Sequence, residues 1–213
     1  MNLIDNAFRL NDRAVGLIRP FDGLAPLLLR LYLAPIMMQA GWNKIVGFDN
    51  TVAWFDASLG LPLPTVLAAL AAGTELFGGA LLLVGLATRW ISIPLMFTML
   101  VAIFAVHWPN GWLALSDASS WLANDRVLEA AERKARAIAI LREHGNYAWL
   151  TSRGPITVLN NGIEFASTYF IMLLTLFFTG GGRYTSVDDW LGRFVRRGSD
   201  ANTGSEEVAA HAH

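Results

Sequence analysis

The sequence contains no cysteine. That excludes structural disulfides, thiol redox chemistry and thiolate metal sites together. Charge is sparse as well. Charged residues make up 15% against 54% hydrophobic, with a mean hydropathy of +0.42, too apolar for an ordinary soluble domain. A net charge of −1 offers no basic surface to nucleic acid. Only His107 among the histidines falls within an apolar run, so a bis-histidine haem in a membrane is excluded. There is no glycine-rich nucleotide fingerprint: Gly78-Gly79 lies inside an apolar run and Gly180-Gly181-Gly182 ends one. The stretch before the first apolar run lacks the apolar centre and small-residue cleavage site of a signal peptide, so none is expected.

What the chain has is long apolar runs. A bilayer crossing takes roughly 20 apolar residues. Four runs meet that need, at about 24–46, 63–86, 90–108 and 162–180. The expected fold is all-α: an integral membrane four-helix bundle forming one domain over 1–197, followed by a small, polar, disordered tail at 198–213. His211 and His213 belong to that tail and read as incidental to it. Ahead of the first span, Leu3, Ala7, Leu10, Ala14 and Leu17 repeat at helical spacing, with Arg9, Arg13 and Arg19 on other faces. This predicts an amphipathic helix lying in the membrane interface and ended by Pro20.

The third loop, about 109–161, carries a helix of its own. Asn124 or Asp125 can cap a helix over 125–144 that stops at Gly145, with Leu128, Ala131, Ala135 and Ile138 on its apolar face. Glu129 with Arg133, and Glu132 with Arg136, form i,i+4 pairs on the wet side. Such a helix reads first as a solvated lid or spacer and second as a docking surface for a periplasmic partner. With an even number of spans both termini share a side. Arg9, Arg13, Arg19, Arg89, Arg183, Arg193, Arg196 and Arg197 all fall there, which puts both termini in the cytoplasm.

The polar residues of the spans align. Glu75 stands near the middle of the second run, and a carboxylate at that depth costs several kcal/mol unless it faces protein. Ala68, Ala72, Glu75 and Gly79 share one helix face, whose small residues let another helix approach. Arg30 and Lys44, on one face of the first span, are the candidate partners of Glu75; a Glu75–Arg30 pair could equally be helix glue. Lys44, His107 and Glu164 are expected at the outer surface, with Trp42, Trp108, Asn110, Asn160 and Asn161 at the same level. Together they read as a cluster able to bind a polar head group or relay protons. The bland alternatives are a snorkelling Lys44 and an aromatic belt containing Trp42 and Trp108. Met37, Met38, Met96, Met99 and Met172 offer soft thioethers that suit copper(I) with His107, although scattered methionines are commonly core filler. No metal ligand set is assigned.

Five segments stand in a telling order: Gly41-Trp42-Asn43-Lys44, Leu59-Gly60-Leu61-Pro62, Glu75-Leu76-Phe77-Gly78-Gly79, Gly85-Leu86-Ala87-Thr88-Arg89 and Gly180-Gly181-Gly182-Arg183-Tyr184-Thr185-Ser186. Together they resemble the DoxX family of small bacterial inner-membrane proteins. The resemblance runs from about Leu24 to Leu191. It implies a four-helix membrane bundle with Lys44, Glu75, Arg89 and Arg183 at signature positions, and Glu164 as the acidic residue opening the last helix. Some members are named as the membrane subunit of a thiosulfate:quinone oxidoreductase, and others are linked to oxidative stress. The extended third loop, with Glu143-His144-Gly145-Asn146-Tyr147 and Val158 to Phe165, resembles a longer subgroup encoded beside biosynthetic enzymes for copper-binding modified peptides.

Two functional readings follow. In the first, the chain is an inner-membrane component of a redox or stress-response system that meets a quinone-like carrier or a partner oxidoreductase. Glu75, His107 and Glu164 are then the candidate catalytic groups. Lys44, Arg30, Trp42, Trp108, Asn110 and Asn161 bind substrate, while Arg89 and Arg183 are structural. Arg30 balances Glu75 in this reading. In the second, the chain is a non-catalytic membrane partner or transporter tied to copper homeostasis, and the 125–144 helix docks the partner. The small-residue faces also suit a homo-oligomer.

Overall fold

The structure is a computed structural model that describes residues 3–196. The expected tail at 198–213, with His211 and His213, and also Arg197, lie outside the described residues. Among these the chain is all-α, and one isolated antiparallel bridge joins Leu115 to Leu159. Two compact units divide it: the chain up to Met96 together with Met172 onward, and Phe97–Ile171.

The first unit begins with α1 (Leu3–Ile18), which a short 3-10 turn at Arg19–Phe21 joins to α2 (Leu24–Val46). Phe8, Leu10 and Leu17 are exposed, as an interfacial helix requires. Next come α3 (Phe48–Ala57), α4 (Pro64–Val84) and the start of α5 (Thr88–Val101). α3 lies between the first two expected spans, where the sequence reading places no helix. Its ten residues bury Phe55 and pack on α4.

α2 and α4 form the core of this unit. The buried residues of α2 are Pro26, Arg30, Leu33, Ala34, Met37 and Gly41, and those of α4 are Ala68, Ala72, Glu75, Gly78, Gly79 and Leu82. Each set makes one stripe at helical spacing, so the small-residue face expected around Glu75 is the packed one. Two glycines set how closely the helices meet. A Cβ on Gly41 would stand 2.5 Å from the Leu76 nitrogen, and one on Gly79 would stand 2.7 Å from Met38 Cγ. The same contacts fix an antiparallel register, with Gly41 opposite Ala72–Leu76 and Ala34–Met38 opposite Gly79. Pro64 at the first turn starts α4. Gly85, at φ +71, ends it with its N–H on the Leu81 and Leu82 carbonyls.

Three helical stretches are long and apolar enough to cross a membrane: Arg19–Val46, Pro64–Val84 and Thr88–Asn110. Where the fourth span is expected at 162–180, the chain forms α8 (Glu164–Thr179), an apolar helix of sixteen residues. At 1.5 Å per residue it reaches about 24 Å, short of a hydrocarbon core of roughly 30 Å. After α8 the chain turns through Gly180–Gly182 into α9 at 187–196.

In the second unit the helical path of α5 continues as a π-helix over Ala102–His107 and a 3-10 turn over Trp108–Asn110. α6 (Asp125–His144) stands where the sequence predicts it, with the Asn124 side chain accepting the Val127 N–H and Gly145 beyond its end. Its packed edge keeps Ala131 and Ile138 of the expected face but not Leu128 and Ala135. Val127 is buried and Leu128 is exposed, because the capping turn aims Val127 inward. The Glu129–Arg133 pair forms at 2.8 Å; Glu132 and Arg136 are not paired among the described residues. A short α7 (Tyr147–Leu150) follows.

Residues 111–116 and 158–164 are laced together. The amides of Asn160 and Asn161 donate to Ala114 O, Gly162 to Leu113 O, Ile163 to Gly111 O and Glu164 to Trp112 O. Gly162 is obligatory in this clasp, since a Cβ there would lie within 2.6 Å of three carbonyl oxygens.

Candidate functional site

α2 and α4 run antiparallel, and side chains lean toward the N-terminus of their own helix. On the register above, Lys44 and Glu75 stand about one turn apart along the axis, ~6 Å. The two leans therefore point them at each other. Lys44 Nζ donates to Glu75 Oε2 at 2.5 Å, with the Glu75 side chain 6% exposed and the Lys44 side chain 26% exposed. Glu75 Oε1 carries no protein hydrogen bond among the described residues. A buried carboxylate is thus neutralised by a cation that still reaches the surface.

This corrects two expectations. Lys44 does not snorkel outward to an outer mouth; its ammonium turns onto Glu75. Arg30 does not balance Glu75, because it stands opposite Gly85, ten residues or about 15 Å further along α4. Nor is Arg30 placed to bind substrate. It is 1% exposed and clamps the last turn of the unit, with Nη1 donating to Gly181 O at 2.7 Å and Nη2 to Thr185 O at 3.0 Å. Its planar fork suits two carbonyl acceptors on one loop.

The second unit holds the remaining expected residues. His107 ends the π-helix, and its Nδ1 lies 2.9 Å from Asn161 O, the oxygen to which Asn110 Nδ2 also donates at 2.9 Å. Asn161 takes φ +60 there. Glu164 Oε2 accepts the Ala114 N–H at 2.8 Å, which commits that carboxylate oxygen to the clasp. Buried Asn160 donates to the carbonyls of Asn110 and Leu113 and accepts from Arg126 Nε. His107, Asn110 and Asn161 are therefore brought together, while Glu164 bonds to a different strand of the same clasp. Trp42, in the first unit, and Trp108 are each 57% exposed.

Arg89 and Arg183 lie at the α4–α5 and α8–α9 ends. Arg89 Nη1 donates weakly to Phe177 O at 3.4 Å, and the Arg183 guanidinium sits 5.1 Å from the Tyr184 ring centroid. Between them is a residue that sequence reasoning passes over. The Asp188 carboxylate accepts the N–H groups of Ala87 at 2.7 Å and Thr88 at 2.9 Å, capping α5 from 100 residues away. The signal was an alanine at the helix start, where a side-chain cap is expected.

The first unit thus has the make-up of a membrane helical core, with apolar helices in close backbone contact and one buried ion pair between them. The DoxX family model matches residues 25–108, a stretch that holds Arg30, Lys44, Glu75, Arg89 and His107 and stops before the clasp. A Bacillus subtilis (strain 168) protein named "Putative oxidoreductase CatD" is 36% identical over 83 residues, covering 39% of this chain and 60% of that protein. "Inner membrane protein YphA" of Escherichia coli (strain K12) is 32% identical over 102 residues, covering 46% of this chain and 70% of that protein. The chain therefore spans less than two thirds of CatD and more than two thirds of YphA. No solved structure matches it. The chain belongs to the DoxX family, and it is an all-α membrane protein.

Proposed function

We propose that the chain is a bacterial inner-membrane component of a redox or stress-response system, and that the Lys44–Glu75 pair is its working group. The observation that carries this reading is the 2.5 Å pair itself, placed mid-helix on α4 with the lysine part-exposed and one carboxylate oxygen uncommitted. Ionisable groups at membrane depth are costly, which makes such a pair a candidate functional site by default. The name of CatD and the inner-membrane name of YphA support the reading.

A quinone-like carrier, when bound, supplies reversible electron and proton chemistry. The residues present suit such a head group. Lys44 has ammonium protons beyond the one given to Glu75 and can donate to a carbonyl oxygen. Glu75 Oε1 can hold a proton. Electrons enter or leave through a partner oxidoreductase. His107, at the end of a π-helix, is the second proton-handling candidate, since π-turns within helices are frequent at functional sites. Both termini are assigned to the cytoplasm on the arginine distribution.

The test is Glu75→Gln in a host lacking its own copy, read as membrane abundance, survival under oxidant, and quinone retained on purification. Normal abundance with lost protection and lost quinone is expected. Unchanged protection and retention would end the assignment of Glu75 as a working group.

A second reading, a non-catalytic partner in copper-linked peptide maturation, is favoured by one observation. α6 lies outside the family-matched stretch, and Trp121 and Trp149 nearby are 91% and 72% exposed. Exposed tryptophans of that kind are typical binding anchors. Deleting α6 while Glu75 stays intact should abolish function in this reading and spare it in the first.

A further inference from the structure

Where α5 begins and α8 ends, the first unit has an open, concave cavity of about 510 Å³ lined by Arg89, Arg183 and Arg196, by Asp188 and Asp189, and by the Gly180–Gly182 backbone. The carboxylates are already committed. Asp188 holds the two amides at the start of α5, and Asp189 accepts from the Tyr184 N–H and pairs with Arg193. The arginines are not: among the described residues none of Arg89, Arg183 and Arg196 stands within ion-pair distance of a carboxylate. In the lining three arginines meet two aspartates, and one of those, Asp189, is already paired with Arg193 from outside it. The cavity is short of negative charge.

A second observation says where that charge comes from. α9 exposes Trp190, Leu191, Phe194 and Val195 along one stripe, with Trp190 and Phe194 stacked at 6.3 Å, while Arg193 and Arg196 leave the helix on other sides. Trp90, which lines the cavity, is 76% exposed. An amphipathic helix with a tryptophan-rich apolar stripe and arginines beside it is built to lie at the head-group level of a bilayer. The cavity opens next to the ends of membrane helices, where lipid phosphates are found.

We propose that this cavity binds the phosphate group of an anionic phospholipid, held by Arg89, Arg183 and Arg196, with its acyl chains against Trp90 and the apolar stripe of α9. Arginine suits the role because its fork engages phosphate oxygens in pairs. Basic pockets between membrane helices take anionic head groups in the same way. The site is separate from the Lys44–Glu75 pair and does not depend on the function proposed for it.

The test is native mass spectrometry of the full chain in detergent with phosphatidylglycerol, with phosphatidylcholine and with inorganic phosphate as separate probes. One phosphatidylglycerol should be retained, phosphatidylcholine should not, and millimolar phosphate should displace the lipid poorly. The double variant R183Q/R196Q should lose about thirty-fold in retention, the effect of roughly two basic residues beside an anionic surface. Should the double variant unfold, R196Q alone, near the end of α9, should still lose about five-fold. Equal retention of both lipids, or retention unchanged in the folded variants, would overturn the proposal. Phosphate binding as tight as the lipid's would overturn the lipid assignment.

Discussion

Charge at single residues decides most of what this molecule can do, and the Lys44–Glu75 pair is the clearest case. Removing one partner of a buried pair leaves the other uncompensated, at a cost of about 3–5 kcal/mol. Lys44→Met, which strands the buried carboxylate, should therefore lower thermal stability in detergent. Glu75→Gln leaves only a part-exposed ammonium that can turn to water and should cost much less. Lys44→Met combined with Glu75→Leu should recover much of the loss, because apolar replacement of both partners is often neutral. Stability of the double variant no better than that of Lys44→Met would mean the pair is not coupled. Arg30 should behave differently. Arg30→Lys keeps the charge but loses the fork that reaches Gly181 O and Thr185 O together, so it should cost about 2 kcal/mol, measurable as a drop in Tm. The sequence shows that Glu75 faces protein, since its small-residue face is plain at spacings of four and three. It does not show which cation answers Glu75. That choice depends on the antiparallel register of α2 and α4, which is set by two glycine contacts and not by any local pattern.

At the scale of elements, the close approach of α2 and α4 makes a sharp expectation. Gly41→Ala places a methyl 2.5 Å from a backbone nitrogen that cannot move aside, so the helices must separate. Overpacking of this kind costs about 1–3 kcal/mol. Gly79→Ala also meets backbone, with Ala34 O and Met38 N each 2.9 Å away besides the Met38 side chain, and should destabilise comparably, with both read from thermal melts in detergent. The turn between α8 and α9 carries a pH dependence. The Asp189 carboxyl is held below the ordinary carboxylate range, first by the Tyr184 N–H and then by Arg193. A depressed folded pKa means that its contribution is present at neutral pH and is lost as pH falls through that folded value, in the region below roughly 4. Amide exchange at Tyr184 should accelerate there, and Asp189→Asn should remove that change. Helix positions were largely legible from apolar runs and caps, as α2 and α6 show. α3 was not, because its ten residues sit between two spans and mimic a loop. Nor was the clasp of 111–116 with 158–164, whose bonds join backbone to backbone across more than forty residues and leave little trace in side-chain pattern.

For the whole molecule, the number of crossings is the open lever on topology. Three helical stretches have the length to span, while α8 has sixteen residues. The proposed cytoplasmic placement of both ends, made on the arginine distribution, requires α8 to cross. A reporter enzyme fused after Arg196 should therefore read as cytoplasmic, and a periplasmic signal there would mean that α8 stops within the bilayer. Membership of the family was readable from the motifs between Gly41 and Arg89, which fall inside the matched stretch 25–108 and mark the close contact of α2 with α4 and the turn into α5. The reaction was not readable, because a lysine, a glutamate and a histidine in apolar helices suit many chemistries.

The Arg30 clamp also has a consequence for the order of events during synthesis. Arg30 enters the membrane with α2, yet the carbonyls that receive it, Gly181 O and Thr185 O, are 151 and 155 residues later. At roughly 5–20 residues per second the ribosome needs about eight to thirty seconds to deliver them. Through that interval a guanidinium stands in an apolar helix without its acceptors. The nascent α2 must keep that group in contact with water or lipid phosphate, and can settle to its final depth only when the last turn of the chain arrives.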